Sequence, residues 1–427
     1  MQIKNKIVKN ASWIIGCKIV QSVLNIVISM IVARTLGPSN FGLLNYATSV
    51  VAFFIPLMNL GINNILVNEF VNSPENEHTI MGSALTLTSL SAILCMGGVG
   101  LFVGFVNAGE RDTLIVALLY SLVLLAQAFE LTQYWFQYKY LSKFTAIVML
   151  AAYVVVTGYK IVILILKTNV YWFSVVNAID YFLIAIALFF LFRKHSGGWP
   201  KFSKSVALRL LKNGRPYIIS TMMITVYAQT GSVLLKLLID ETAVGFYTTA
   251  TTITGMTGFV FTAIIDSMRP AIFEAKKESR EKYETYVKKL YCIITYMSLA
   301  QSIAFTLLAK PIVSILYGSA YQPAVPILQV VVWYLAFSYM GGVRNIWILA
   351  EQKTKYLWII NLSGALLNVT LNLVLIPYMG IMGAAVATVI TQIFTNVIIG
   401  YIIKPIRGNN RLLIQGLDPR VLLRKKK

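Results

Sequence analysis

Residues 10–61 read NASWIIGCKIVQSVLNIVISMIVARTLGPSNFGLLNYATSVVAFFIPLMNLG. Two apolar runs, near residues 11–33 and 41–67, flank the turn-like ARTLGPSN. Each is long enough to cross a hydrocarbon core of roughly 30 Å at about 1.5 Å per helical residue. The rest of the chain follows suit: 57% of its 427 residues are hydrophobic and 12% are charged, where a soluble domain carries about a quarter charged. That amounts to about 243 apolar residues, material for about twelve spans at roughly 20 residues each. The composition predicts an all-α integral membrane protein. The first run follows Lys4, Lys6 and Lys9 and is longer than a signal-peptide core, so it reads as an uncleaved first helix.

Further apolar runs fall near 80–106, 113–137, 144–166, 170–192, 214–238, 244–268, 290–309, 324–350, 357–377 and 381–403, giving twelve expected helices. The basic residues orient them. With the N-terminus on the cytoplasmic side, the inner segments hold 29 of the 37 Lys and Arg, while the outer loops hold only Arg34, Arg111, Lys167 and Lys310. This asymmetry places both termini in the cytoplasm. It also accounts for the net charge of +21 without nucleic acid as a partner. The outer connections are too short to fold an external catalytic domain.

Shifting the chain by 203 residues lays Asn10 on Asn213, Ile15 on Ile218, Gly42 on Gly245, Ala47 on Ala250 and Thr48 on Thr251. Six spans per copy put both starts on the same membrane side, so the pseudo-repeat is parallel. A basic segment with Gly197, Gly198 and Pro200 separates the copies. The expected organisation is a six-helix lobe over 1–192, a basic cytoplasmic linker over 193–212, a second six-helix lobe over 213–403 and a basic tail over 404–427.

Polar residues inside the spans fall in stripes. Lys18, Ser22, Asn25 and Ser29 share one helix face with Gln21 beside them, and Thr221, Thr225, Gln229, Ser232 and Lys236 repeat the pattern in the seventh span. Asn45, Ser49, Asn59 and Asn63 add to this in the second span, and Thr248, Thr251, Thr262 and Asp266 in the eighth. One account is interhelical glue; the other is a polar cavity between the lobes, lined by helices one, two, seven and eight. Mid-membrane cations cost about 2.5–3.5 kcal/mol each on insertion scales if lipid surrounds them, which favours the cavity for Lys18. Arg34, Lys236 and Arg344 are further candidates, with snorkelling to the interface the alternative for Arg34 and Lys236. Lys160 has a second possibility, an ion pair with Asp180. Glu130, Asp180 and Asp266 are the acidic candidates for a coupling ion, either proton or sodium.

Several chemistries find no support. Cys17, Cys95 and Cys292 all sit in apolar runs without spaced partners, and His78 and His195 have no neighbouring Cys or His, so neither a disulfide nor a metal site is expected. Gly97, Gly100 and Gly104 lack the strand and Lys-Ser/Thr of a phosphate loop. No nucleophilic triad or other catalytic motif is present, and no cofactor is expected.

Three stretches carry a family resemblance: the 10–61 segment above, PIVSILYGSAYQPAVPILQ from Pro311, and NLVLIPYMGIMGAAVAT from Asn372 to Thr388. In order and spacing they resemble the Wzx-type polysaccharide flippases, within the multidrug/oligosaccharidyl-lipid/polysaccharide exporter superfamily. The resemblance implies a V-shaped, two-lobed transporter in the bacterial plasma membrane. Its implied task is to move undecaprenyl-pyrophosphate-linked oligosaccharide repeat units, of O-antigen, capsular or teichuronic type, from the inner to the outer leaflet. The family's basic cavity residues map onto Lys18 and onto Arg34, Lys236 and Arg344. A multiply anionic pyrophosphate suits such cations, and a sugar chain suits neutral donors and acceptors such as Gln21, Ser22, Asn25, Asn59, Thr225 and Gln229. Two alternatives stand beside this reading: a drug or cation exporter of the same superfamily, and a membrane polysaccharide polymerase or ligase, for which the short outer loops speak poorly.

Overall fold

The computed structural model describes the backbone of residues 2–423 and the side chains of residues 27–422. Every regular element among the described residues is helical. The quoted stretch forms α1 (Gln2–Asn59), broken at Gly37, whose φ of 72° and ψ of 171° leave the helical region. Glycine tolerates that φ without steric cost, and Pro38 supplies no backbone donor to carry the helix across. The ARTLGPSN turn is therefore a break between two apolar helices.

The N-terminal part continues with α2 (Ile62–Asn72), α3 (Glu77–Val106), α4 (Arg111–Glu130), α5 (Thr132–Tyr138), α6 (Ser142–Ile165), α7 (Val170–Ser174) and α8 (Val176–Ser196). Then follow α9 (Lys204–Leu238), α10 (Glu241–Gly255), α11 (Gly258–Glu278), α12 (Arg280–Leu307), α13 (Ala309–Leu316), α14 (Ala324–Val331) and α15 (Tyr334–Ala350). The C-terminal part ends with α16 (Leu357–Met379), α17 (Ile381–Ile393), a π-helical turn (Phe394–Ile398), α18 (Ile399–Ile402), α19 (Arg407–Gly416) and α20 (Arg420–Leu423). Among the described residues, ten helices are long and apolar enough to cross a membrane, and the α10–α11 pair, bent by 41°, makes eleven if counted as one span. The protein is thus an all-α, multi-span membrane protein.

Two helices outrun their apolar runs. α9 starts at Lys204 and α12 at Arg280, each about ten residues before the run expected from hydropathy. The extra turns are amphipathic: Ala207, Leu210 and Gly214 are buried while Lys204, Arg209 and Lys212 are exposed. A hydropathy window dilutes such a stretch with its basic face and so ends too early.

The chain divides into two compact units, Met1–Thr225 and Val226–Lys427, and the division falls inside α9. In the first unit, Ile62, Leu66 and Phe70 of α2 pack with Ile80 and Met81 of α3, Trp135 and Phe136 of α5, Leu188 and Phe192 of α8, and Leu210 of α9. A smaller core joins Ile28 and Val32 of α1 to Val156 and Ile163 of α6, Phe173 of α7 and Val176 of α8. The start of α9 is locked on by a buried acid: Glu69 of α2 accepts a hydrogen bond from Asn213 Nδ2 at 2.8 Å and forms an ion pair with Arg209 Nε at 3.0 Å. In the second unit, Ile272 and Ala275 of α11 pack with Tyr283, Leu290 and Tyr291 of α12, Val343 and Trp347 of α15, and Leu412 and Leu413 of α19. Outside the apolar spans, Glu351 ties this unit's end together by pairing with Lys276 at 3.2 Å and with Arg280 at 2.8 Å.

Candidate functional site

The first unit holds two adjoining polar cavities among apolar helices. One, of about 290 Å³, is lined by Thr48, Tyr120, Gln127, Tyr153, Lys160, Asn177, Asp180 and Tyr181, and the other, of about 250 Å³, shares Thr48, Tyr120, Lys160 and Asn177 with it. Four helices supply the polar groups: Thr48 on α1, Tyr120 and Gln127 on α4, Tyr153 and Lys160 on α6, and Asn177, Asp180 and Tyr181 on α8. Asn177 Nδ2 donates to the Tyr120 hydroxyl at 3.0 Å, which fixes both side chains on the cavity wall. Lys160 and Asp180 face the same cavity without a direct ion pair, so the pairing considered from sequence is replaced by a shared polar chamber. Asp180 Oδ1 is buried and finds no hydrogen-bond partner in the protein. Glu130, at the end of α4, stands beside Gln133 and within electrostatic reach of Asp180. Two of the three acidic candidates are thereby brought together with a lysine inside one helical unit.

The third is elsewhere. Asp266 on α11 pairs with Arg269 at 2.8 Å, one turn along the same helix, and both side chains are about half exposed. That is a surface i,i+3 pair, worth a few tenths of a kcal/mol. Lys236, at the end of α9, is paired with Glu241 at 2.8 Å and its side chain is only 7% exposed. Thr225 turns its hydroxyl back onto the Thr221 carbonyl at 3.1 Å, satisfying itself within its own helix. Gln229 and Asn59 are half-buried and Arg34 is exposed. Lys18, Gln21, Ser22 and Asn25 lie outside the residues whose side chains are described.

Arg344 lies in the interior of the second unit, 5% exposed. Its guanidinium donates to the Thr395 carbonyl and, at 3.1 Å, to Asn345 Oδ1. Thr395 belongs to the π-helical turn, where the i→i+5 winding alters the carbonyl orientations. The Val397 carbonyl of the same turn accepts from Asn410 Nδ2 at 2.7 Å. Around this turn runs a buried polar network. Gln392 donates to Tyr227 at 3.0 Å and accepts from Asn396 at 2.7 Å, and Asn368 reaches Thr391 at 3.2 Å and holds Asn372 at 3.0 Å. Sequence reasoning missed this network, although Asn368/Asn372 and Gln392/Asn396 at i,i+4 inside apolar runs are the pattern that marks one helix face.

Residues 7–276 match the polysaccharide biosynthesis protein family. The chain belongs to that family. A curated relative, the capsular polysaccharide biosynthesis protein CapF of Staphylococcus aureus, is 23% identical over 399 residues, covering 90% of this chain and 96% of CapF. Among solved structures, the lipid II flippase MurJ in an inward closed conformation aligns with a TM-score of 0.72 at 13% identity, over 95% of this chain and 91% of MurJ. An inward-facing multidrug resistance MATE transporter of the MOP superfamily aligns at 0.70 and 14% identity, over 93% and 96%. At such identities the structural likeness speaks for the fold, and it extends along almost the whole chain. This family member thus has the fold that MurJ and the MATE transporter share, as its sequence motifs led one to expect.

Proposed function

We propose that the protein is a flippase that carries undecaprenyl-pyrophosphate-linked oligosaccharide repeat units from the inner to the outer leaflet of the bacterial plasma membrane by alternating access, with both termini in the cytoplasm. The observation that carries this reading is family membership in polysaccharide biosynthesis combined with end-to-end likeness to MurJ, whose substrate is lipid II. Lys18 with Gln21, Ser22 and Asn25 receives the pyrophosphate and first sugars, and Asn59, Thr225, Gln229, Arg34, Lys236 and Arg344 complete the path. Because Lys236 is paired with Glu241, its contact with substrate requires that pair to open. The lipid tail stays in the bilayer throughout.

Two driving forces fit the same path. Moving about two uncompensated negative charges outward across an inside-negative membrane gains roughly 4–5 kcal/mol per 100 mV, at 2.3 per charge. Proton or sodium antiport through the chamber lined by Lys160 and Asp180, with Glu130 close by, is the alternative, favoured by the unpartnered Asp180 oxygen. The test is leaflet-resolved: deplete the protein in its native cell and locate lipid-linked oligosaccharide with an impermeant label. Inner-leaflet accumulation, reproduced by a normally expressed Lys18→Ala variant, is the expected result. Accumulation of unpolymerised units on the outer leaflet would assign a polymerase role instead, and raised drug sensitivity without accumulation would assign drug export.

A further inference from the structure

Between α8 and α9 the chain runs in the open for seven residues, GGWPKFS over 197–203, yet its backbone is held fast. The Lys201 amide donates to the His78 carbonyl at 2.9 Å. The Ser203 amide donates to Ser83 Oγ at 3.0 Å, and that hydroxyl donates back to the Ser203 carbonyl at 3.2 Å. Gly82 of α3 lies directly against the Lys201 backbone, where any Cβ has no room. This segment is therefore not a loose tether.

Its large side chains nevertheless point outward. Trp199 is 59% and Phe202 57% exposed, and Leu208, on the outer face of the first turns of α9, is 57% exposed. The Arg193 guanidinium stacks 3.4 Å over the Trp199 ring, holding it in that orientation. Lys194, Lys201, Lys204, Lys212 and Arg215 surround these residues, all exposed; none of the five is in an ion pair among the described residues. Arg209 alone is committed, to Glu69. A pinned backbone cannot tuck the aromatics away from water, so the arrangement suits a medium that is apolar at one depth and anionic at the next. That medium is the headgroup zone of a bilayer, where Trp and other aromatics settle and Lys and Arg meet lipid phosphate. The segment leaves one membrane-crossing helix and enters another, which keeps it at that depth.

We infer that residues 199–215 form a docking surface for anionic phospholipid headgroups of the adjacent leaflet, with Trp199 and Phe202 inserted between headgroups and Lys201, Lys204 and Lys212 bound to their phosphates. The surface is independent of which substrate the protein carries. It makes the base of α9, the helix shared by both units, sensitive to the charge of the membrane around it.

The test titrates the purified full-length protein in detergent with phosphatidylglycerol or phosphatidylcholine and counts bound lipid by native mass spectrometry. The wild type is expected to prefer phosphatidylglycerol. Neutralising K201Q/K204Q/K212Q is expected to weaken it by about fivefold per lysine, on the order of a hundredfold in all. W199A/F202A is expected to weaken it with the charges intact, while a control triple on the C-terminal segment, K404Q/R411Q/R420Q, leaves this binding step in place. All substituted side chains are exposed, and an unchanged elution profile verifies folding. Equal loss in the control triple, equal binding of the two lipids, or displacement of phosphatidylglycerol by inorganic phosphate would each overturn the proposal. Capture of an oligoglutamate probe with no preference for phosphatidylglycerol would also overturn it, by reassigning the surface to an acidic protein segment.

Discussion

Removing the Glu69 carboxylate tests how α9 is attached to the first unit. Glu69 has a side chain 11% exposed; it accepts a hydrogen bond from Asn213 Nδ2 at 2.8 Å and forms an ion pair with Arg209 Nε at 3.0 Å. Hydrogen bonds to a charged group contribute about 1.5–3 kcal/mol each when buried. Arg209 is 42% exposed, so water screens its ion pair and rehydrates it once the acid is gone, which leaves that pair in the surface range of about 0.5–1 kcal/mol. Glu69→Ala is therefore expected to destabilise the protein by about 2–3 kcal/mol, Arg209→Ala by under about 1 kcal/mol, and the double variant by little more than Glu69→Ala alone. The asymmetry is the signature: the buried acceptor matters, and the exposed cation that partners it matters much less. Thermal or denaturant unfolding of the three variants in one detergent measures it as a double-mutant cycle. If Arg209→Ala costs as much as Glu69→Ala, or the two effects simply add, the acid is not the organising group and the attachment rests on the apolar contacts of Leu210 instead.

Other expectations follow from the same geometry. Burial alone would raise the Glu351 carboxyl, but the hydrogen bond from Lys276 and the charges of Arg280 and Lys276 outweigh it and hold this group below the usual carboxylate range. A depressed folded-state pKa means that its contribution is complete above the unfolded value of about 4.3 and is lost as pH falls through the folded one. Wild type should thus out-melt Glu351→Gln at neutral pH and converge with it in acid, and a constant gap across a thermal-shift series would refute this. Arg344→Ala strands the Thr395 carbonyl and is expected to cost on the order of 2 kcal/mol, with Arg344→Lys milder, as read by unfolding midpoints. If the Lys160–Asp180 chamber couples transport, Asp180→Asn should abolish stimulation of flipping by an imposed ion gradient while leaving stimulation by membrane potential; persistent ion coupling after neutralising Glu130, Asp180 and Asp266 together would dismiss all three.

How far the sequence spoke depends on which physical signal each feature leaves. Spans are legible because lipid demands some twenty apolar residues in a row whatever the tertiary structure, and the Gly37-Pro38 break is legible because the backbone itself forces it. The three family stretches extend that reading to architecture. Polar residues inside spans are a different matter, since a hydroxyl on a helix has two ways to be satisfied that look alike in sequence. Thr225 bonds its own helix at Thr221, whereas Thr391 also accepts from Asn368 on another helix, and periodicity marks both identically. Charges inside spans are ambiguous in the same way: Lys236 found a local partner five residues on, in Glu241. Arg344 found a carbonyl in a π-helical turn, and no hydropathy or spacing rule announces such a turn. Lys160 and Asp180 illustrate the remaining case, in which opposite charges on neighbouring helices share a chamber without touching. An intramembrane charge whose demand is met locally is held in place, and one whose demand is not met is available to an ion or a substrate. By that criterion Asp180, buried and unsatisfied at one oxygen, is a stronger functional candidate than Asp266, whose charge Arg269 already meets at the surface.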